Sequence, residues 1–218
     1  MTKTRTKSEP VSFTINSRIG LLSDVGRKRK VDEDSILAVE SIGGFESKIE
    51  PKFLLVLADG MGGHSKGELA SKITTQTIAE KISPSILSKI DYASAIADSI
   101  KEANRRILQY TVDNPEAQGM GTTVVCAVID GNSVHIGHVG DSRAYVINKE
   151  GIEQITKDHS YVQELVDKGE ITAKEARSHP KKNVIMRAVG IYGDVDVDTT
   201  KLTLADDEYL LLCCDGQI

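Results

Sequence analysis

The residues best placed to do chemistry are acids at the ends of apolar runs. The stretch Ala58-Asp59-Gly60-Met61-Gly62-Gly63-His64 follows the apolar run Phe53 to Ala58. It reads as the end of a buried strand that presents Asp59 to a metal. Gly60 is small enough for its own carbonyl to come close to the same ion. An Asp-Gly pair after a strand is equally the mark of an ordinary turn, so the company it keeps decides. Glu33 and Asp34 enter another apolar run, Asp141 sits in Gly140-Asp141-Ser142-Arg143, and Asp215 sits in Cys214-Asp215-Gly216. Carboxylates gathered in one place repel one another unless cations neutralise them. The sequence shows no soft ligand among them, so the ions expected are hard ones, Mg²⁺ or Mn²⁺.

Composition bounds what surrounds these acids. With 218 residues, 39% hydrophobic and 27% charged, the chain can bury a sizeable core as one domain. A net charge of -5 argues against nucleic acid as a partner. Arg27-Lys28-Arg29-Lys30 is the one basic cluster, read for most of its members as a solvated loop. Cys126, Cys213 and Cys214 lie in apolar runs without CxxC spacing, which fits reduced, buried thiols rather than a disulfide framework or a zinc site. Residues 1–12 are charged, Ser/Thr-rich and aperiodic, so they are expected to be a disordered tail ahead of a domain over 13–218. No apolar run is long enough to span a bilayer, and a soluble, cytoplasmic protein without a membrane partner is expected.

The elements that must position the acids follow from periodicity. Strands are expected over Ser17–Ser23, Ser35–Val39 and Phe53–Ala58, the last buried on both faces. Glu40 to Pro51, with Gly43-Gly44, reads as a long hairpin connection. A helix is expected from Lys66 to about Ile82, before Pro84. Ala93, Ile96, Ile100, Ala103, Ile107 and Tyr110 recur at spacings of three and four between Asp91 as N-cap and Asn114-Pro115 as stop, which marks a long amphipathic helix. Thr122–Ile129, Ser133–Val139, Ser142–Ile147 and Ile152–Thr156 read as strands in hairpin series, hence antiparallel. Short helices are expected at Tyr161–Lys168 and Thr172–Ser178, and closing strands at Thr199–Leu204 and Glu208–Cys214. The fold class expected is α+β, with two antiparallel β-sheets packed as a sandwich flanked by helices, an α-β-β-α four-layer arrangement. Dinucleotide binding is excluded, because Val124 stands where Gly119-Met120-Gly121 would need its third glycine.

Asp24-Val25-Gly26 through Arg29 with Glu33-Asp34, Asp59-Gly60-Met61-Gly62-Gly63, Gly121-Thr122-Thr123, Gly140-Asp141-Ser142-Arg143, Asp158-His159-Ser160 and Cys214-Asp215-Gly216 occur in this order. As an ordered set they resemble the signature blocks of the type 2C (PPM) metal-dependent protein serine/threonine phosphatases in their bacterial-style form, from about Ser17 to Gly216.

The resemblance implies hydrolysis of phosphoserine and phosphothreonine in proteins by a metal-activated water. Asp59 would bridge two Mg²⁺ or Mn²⁺ ions, with the Gly60 carbonyl and Glu33, through water, completing one shell. Asp215 would bind the other ion, Asp34 would hold metal-bound water, and Asp141 would support a third, accessory ion. Arg29 would grip the substrate phosphate, since its guanidinium fork matches phosphate oxygens. The implied partners are phosphorylated proteins and an opposing Ser/Thr kinase. Ser160 to about Gly190 would form a mobile flap contacting the phosphoprotein, with His159 a structural element before it. Met61 stands where some relatives have a histidine proposed as general acid, and His64 reads as a surface or capping residue. Relatives continue past the last Asp-Gly pair with a further metal-binding aspartate, so the expectation is a truncated chain with weakened metal binding. The alternative is an inactive, phosphatase-like module that binds phosphoproteins or a kinase.

Overall fold

The computed structural model describes residues 11–14, 19–27, 31–45, 48–62, 66–88 and 90–214. The strands are β1 (Val11–Thr14), β2 (Gly20–Ser23), β3 (Asp34–Phe45), β4 (Lys48–Met61), β5 (Gly121–Thr122), β6 (Val124–Asp130), β7 (Ser133–Val139), β8 (Arg143–Asn148), β9 (Gly151–Gln154), β10 (Asp198–Thr203) and β11 (Tyr209–Cys213). The helices are α1 (Lys66–Ile82), α2 (Tyr92–Asp113), α3 (Tyr161–Asp167) and α4 (Ala173–Ala176).

Two antiparallel sheets carry the molecule. One has the order β10-β7-β6-β4-β3, with β5 pairing to the end of β4; the other has the order β11-β8-β9, and β1 pairs with β2 separately. The alternation along β6 shows why the larger sheet is apolar on both faces. Val124, Cys126 and Val128 point to a core shared with α1 and α2, where Ile78, Ile82, Ile96, Ile100 and Ile107 are fully buried. Val125 and Ala127 point the other way, into a core shared with Ala144 of the second sheet. Fully burying such an isoleucine stabilises by about 1.5–3 kcal/mol, so α2 is fixed by its apolar stripe. Its start is set by Asp91, whose Oδ1 accepts from Ala93 N at 3.1 Å. This is the expected α+β sandwich; among the described residues the long helices α1 and α2 form a layer over the larger sheet.

Two expectations change. Glu40–Pro51 is not a hairpin connection: β3 and β4 remain paired out to Phe45 and Lys48. Pro51 is tolerated because β6 begins to pair with β4 only at Lys52, so among the described residues no second ladder needs a proline N–H. The tail expected over residues 1–12 lies largely outside the described residues, but Val11 and Ser12 belong to β1 and pair with Ser23 and Leu22. The hairpins run through both sheets of the expected sandwich. After β7 the chain crosses at 140–142 to the second sheet, so the Gly140-Asp141-Ser142 loop links the two layers.

Candidate metal centre

The antiparallel register of β3 and β4 places Asp34 directly opposite Asp59. Both strand ends are secured by backbone bonds. Gly60 N–H donates to the Glu33 carbonyl at 3.0 Å, and Ser71 Oγ of α1 donates to the same oxygen at 2.7 Å. The Asp59 carbonyl accepts from Thr123 N at 2.9 Å and from Thr122 Oγ1 at 2.8 Å. Gly60 is required where it stands. A Cβ there would lie 2.1 Å from the Gly67 carbonyl oxygen and 2.6 Å from that of Glu33, both backbone atoms.

Ligand atoms of Asp34, Asp59 and Cys214 converge within 4.8 Å of one another. Cys214 Sγ donates to Asp34 Oδ2 at 3.4 Å. The thiol corrects the reading that no soft ligand accompanies the acids and that all three cysteines are merely buried. Cys126 is buried, its thiol pushed up to about 12 by burial, and Cys213 is buried, whereas Cys214 is half-buried and faces the acids. Asp34 borders a cleft of about 370 Å³ with Asp32, Glu68 and Lys72, and a recess of about 160 Å³ with Asp24 and Cys214. Two carboxylates and a thiol on three strand ends, open to solvent space, are a donor set that suits a divalent cation.

The remaining expected site residues divide. Glu33 adjoins the group through its backbone, and its carboxylate lies outside the 4.8 Å set. Asp141 is buried in the crossover loop and also outside that set; its neighbour Ser142 reaches Thr123 through a 2.6 Å hydroxyl contact. Arg29, Asp215 and His64 lie outside the described residues, as do Lys28 and Lys30.

Other residues hold the site without having been assigned a role. Arg143 grips Asp158 with two bonds, Nε to Oδ1 at 2.8 Å and Nη2 to Oδ2 at 2.6 Å, and this partner raises the already high pKa of the guanidinium. The pair ties the Gly140–Arg143 turn to the Asp158–Ser160 turn. From there residues 161–184, carrying α3 and α4, leave the sandwich through a closed neck. Tyr161 N donates to Val184 O at 2.9 Å and Met186 N to His159 O at 2.8 Å. The far side is pinned beside Asp59, since Thr122 and Val189 exchange backbone bonds of 3.0 and 2.9 Å. The buried Asn104 of α2 accepts from Gly190 N at 2.7 Å.

A second convergence, His138, His159 and Asp198, has donor atoms within 4.8 Å but the wrong chemistry for a cation. Gly140 N–H donates to His159 Nδ1 at 3.1 Å, so the neutral ring carries its proton on Nε2, toward Asp198 Oδ2 at 3.2 Å. A metal there would require an imidazolate, beside the Arg187 guanidinium that donates to Asp198 at 2.8 Å. Burial lowers the pKa of both histidines, keeping them neutral. Burial opposes the Asp198 carboxylate, but His159 and Arg187 together hold it below the ordinary range.

Known proteins are similar to this chain in sequence and fold. The family model described as protein phosphatase 2C matches residues 44–217. The chain is 37% identical over 197 residues to the serine/threonine phosphatase stp of Listeria innocua, covering 89% of this chain and 75% of that one. It resembles the crystal structure of serine/threonine phosphatase Stp1 from Staphylococcus aureus with a TM-score of 0.74 and 41% identity, over 88% of this chain and 74% of that one. It also resembles the catalytic domain of the serine/threonine protein phosphatase PstP in complex with 2 manganese ions, with a TM-score of 0.72 and 32% identity, over 95% of this chain and 76% of that one.

Proposed function

The chain belongs to the protein phosphatase 2C family in its bacterial-style, metal-dependent form and is a serine/threonine protein phosphatase; we propose that its chemistry is performed where Asp34, Asp59 and Cys214 converge. The observation that carries this reading is the direct pairing of Asp34 with Asp59 at the ends of β3 and β4, with ligand atoms inside 4.8 Å. Facing carboxylates at that distance repel each other unless a cation lies between them.

Asp59, the Gly60 carbonyl, Glu33, Asp34 and Asp215 would hold two Mg²⁺ or Mn²⁺ ions, and Asp141 an accessory ion. When bound, such ions act as Lewis acids that ready a water for attack and neutralise phosphoryl oxygens. The chain's own contribution is placement. The β3–β4 register fixes the spacing of the two aspartates, and Thr122 and Thr123 hold the Asp59 backbone. Arg29 would bind the phosphate of a phosphoserine or phosphothreonine and orient it for in-line attack. The segment 161–184 would receive the phosphoprotein, whose phosphate an opposing Ser/Thr kinase supplies. No helix among the described residues is long and apolar enough to cross a membrane, and action on cytoplasmic phosphoproteins is part of the proposal.

Hydrolysis of a chromogenic aryl phosphate, measured with and without Mn²⁺, tests it. Turnover that requires Mn²⁺ and is lost in Asp59→Asn is expected. A folded wild-type protein without metal-dependent turnover would overturn it in favour of a binding module.

A further inference from the structure

His159 lies away from the acids, yet the contacts that leave it run to them. It grips Gly140 twice: its N–H donates to the Gly140 carbonyl at 2.9 Å, and its Nδ1 accepts the Gly140 N–H at 3.1 Å. Because Nδ1 accepts, Nε2 must carry the proton, and it faces Asp198 Oδ2 at 3.2 Å. The 3.3 Å approach of Arg187 Nη1 to that nitrogen sets two donors side by side, and both are accommodated because Arg187 donates to Asp198 Oδ1 at 2.8 Å. His138 stacks on the ring at 4.5 Å between centroids and is anchored through Nε2 to the Lys157 carbonyl at 2.9 Å. The ring therefore has one tautomer and one orientation.

Gly140 in turn packs against Thr123, which bonds to the acid-bearing backbone. Its φ is +107, and a Cβ there would meet Thr123 at 2.6 Å. Thr123 Oγ1 and Ser142 Oγ lie 2.6 Å apart, and Thr123 N–H donates to the Asp59 carbonyl at 2.9 Å. A shift at Gly140 therefore reaches Asp59 through one intervening residue.

We propose that His159 is a positioning residue for the metal centre: Asp198 and Arg187 fix its ring, and Nδ1 fixes the Gly140–Ser142 crossover and, through Thr123, the backbone of Asp59. The inference rests on the metal-phosphatase reading of the site. Asp198 and Arg187 serve to hold the ring in the tautomer whose Nδ1 accepts, a need that an amide oxygen in its place does not have.

Two variants separate the ring's nitrogens. In His159→Asn the amide oxygen can take the place of Nδ1 but cannot reach Asp198. In His159→Gln the reach toward Asp198 is kept and the acceptor for Gly140 is lost. The readouts are hydrogen-exchange protection of the Gly140 amide, Mn²⁺ affinity by calorimetry, and kcat against KM for an aryl phosphate. Loss of a supporting bond around a metal ligand weakens metal affinity or activity by about 10–100-fold. His159→Gln should lose Gly140 protection and about tenfold in Mn²⁺ affinity and kcat, with KM changed by less than about twofold. His159→Asn should stay close to wild type on all three. The proposal is overturned if the Gln variant keeps Gly140 protection and Mn²⁺ affinity, or if both variants are impaired alike. A fall in melting temperature alone, with Mn²⁺ affinity of the folded protein unchanged, also overturns it. Absence of Mn²⁺-dependent turnover in the wild type would end the phosphatase reading, while the exchange and affinity comparison would still decide the role of His159.

Discussion

Replacing Gly60 with alanine tests the geometry of the centre without touching a charge. The added methyl would sit 2.1 Å from the Gly67 carbonyl oxygen and 2.6 Å from the Glu33 carbonyl oxygen. An ordinary carbon–oxygen contact is about 3.3 Å, so the end of β4 and the start of α1 must separate by roughly 1 Å. Both atoms met are backbone, so no rotamer change relieves the clash. Overpacking of this kind costs about 1–3 kcal/mol, and the upper end applies here. At about 2–4 °C per kcal/mol for a chain of this size, the melting temperature should fall by roughly 6–12 °C. The displaced atoms adjoin Asp59, and a misplacement of about 1 Å near reacting groups costs on the order of 100-fold in rate. Mn²⁺-dependent aryl phosphate turnover should therefore fall about 100-fold at a temperature where the variant remains folded. Gly67→Ala, whose methyl meets Gly60 backbone atoms at 2.7 and 2.8 Å, should show a smaller effect in the same direction. Gly20→Ala, with nothing within 4 Å, is the control and should change neither quantity. Wild-type turnover and melting temperature in Gly60→Ala would refute the reasoning.

Further outcomes follow from the same contacts. On the phosphate-binding role proposed for Arg29, Arg29→Ala should raise KM for an aryl phosphate about tenfold or more, and a loss confined to thermal stability would make Arg29 structural. Asp158→Asn breaks a bidentate pair whose aspartate side chain is 9% exposed and whose arginine is 29% exposed. Discounted for that exposure, it should cost about 1–3 kcal/mol in denaturant unfolding, and an unchanged midpoint would contradict the coupling of the two turns. Cys214→Ser should weaken Zn²⁺ or Cd²⁺ binding about tenfold relative to Mn²⁺ in competition titrations, because only the softer ions gain from the sulfur. His138 and His159 have pKa values lowered by burial, so the unfolded chain takes up protons that the folded one refuses. Stability is then full above about pH 6.5 and is lost as pH falls through 6.5 toward the lowered values. Melting temperatures recorded across that window should show a decline that is shallower in His138→Asn.

The helices and most strands were legible because the apolar stripe of α2 and the runs in β4 and β6 each bury against a neighbour that demands that period. The strand end that carries Asp59 and Gly60 was legible for the same reason, lying where an apolar run ends. The β3–β4 ribbon beyond Val39 was hidden because Gly43-Gly44 and Pro51 are turn-formers, and it is their cross-strand pairing with each other's strand that keeps them extended. Cys214 was misread because an apolar run says nothing about which side of a strand end faces the acids. The Arg143–Asp158 grip joins residues fifteen apart across a β-hairpin, and the backbone bonds of Thr122 to Val189 span a longer excursion. Neither leaves a local pattern. His159 reads as structural in the sequence; the bond from its ring to Gly140 depends on which nitrogen faces that N–H, which only the folded packing decides.

The most direct measurement is the number of Mn²⁺ ions bound, by electron paramagnetic resonance titration of free Mn²⁺, in the wild type and in Asp59→Asn, with turnover followed on the same samples. The account predicts at least two ions in the wild type, with loss of binding and of turnover together in the variant. Unchanged binding and turnover in Asp59→Asn would contradict it.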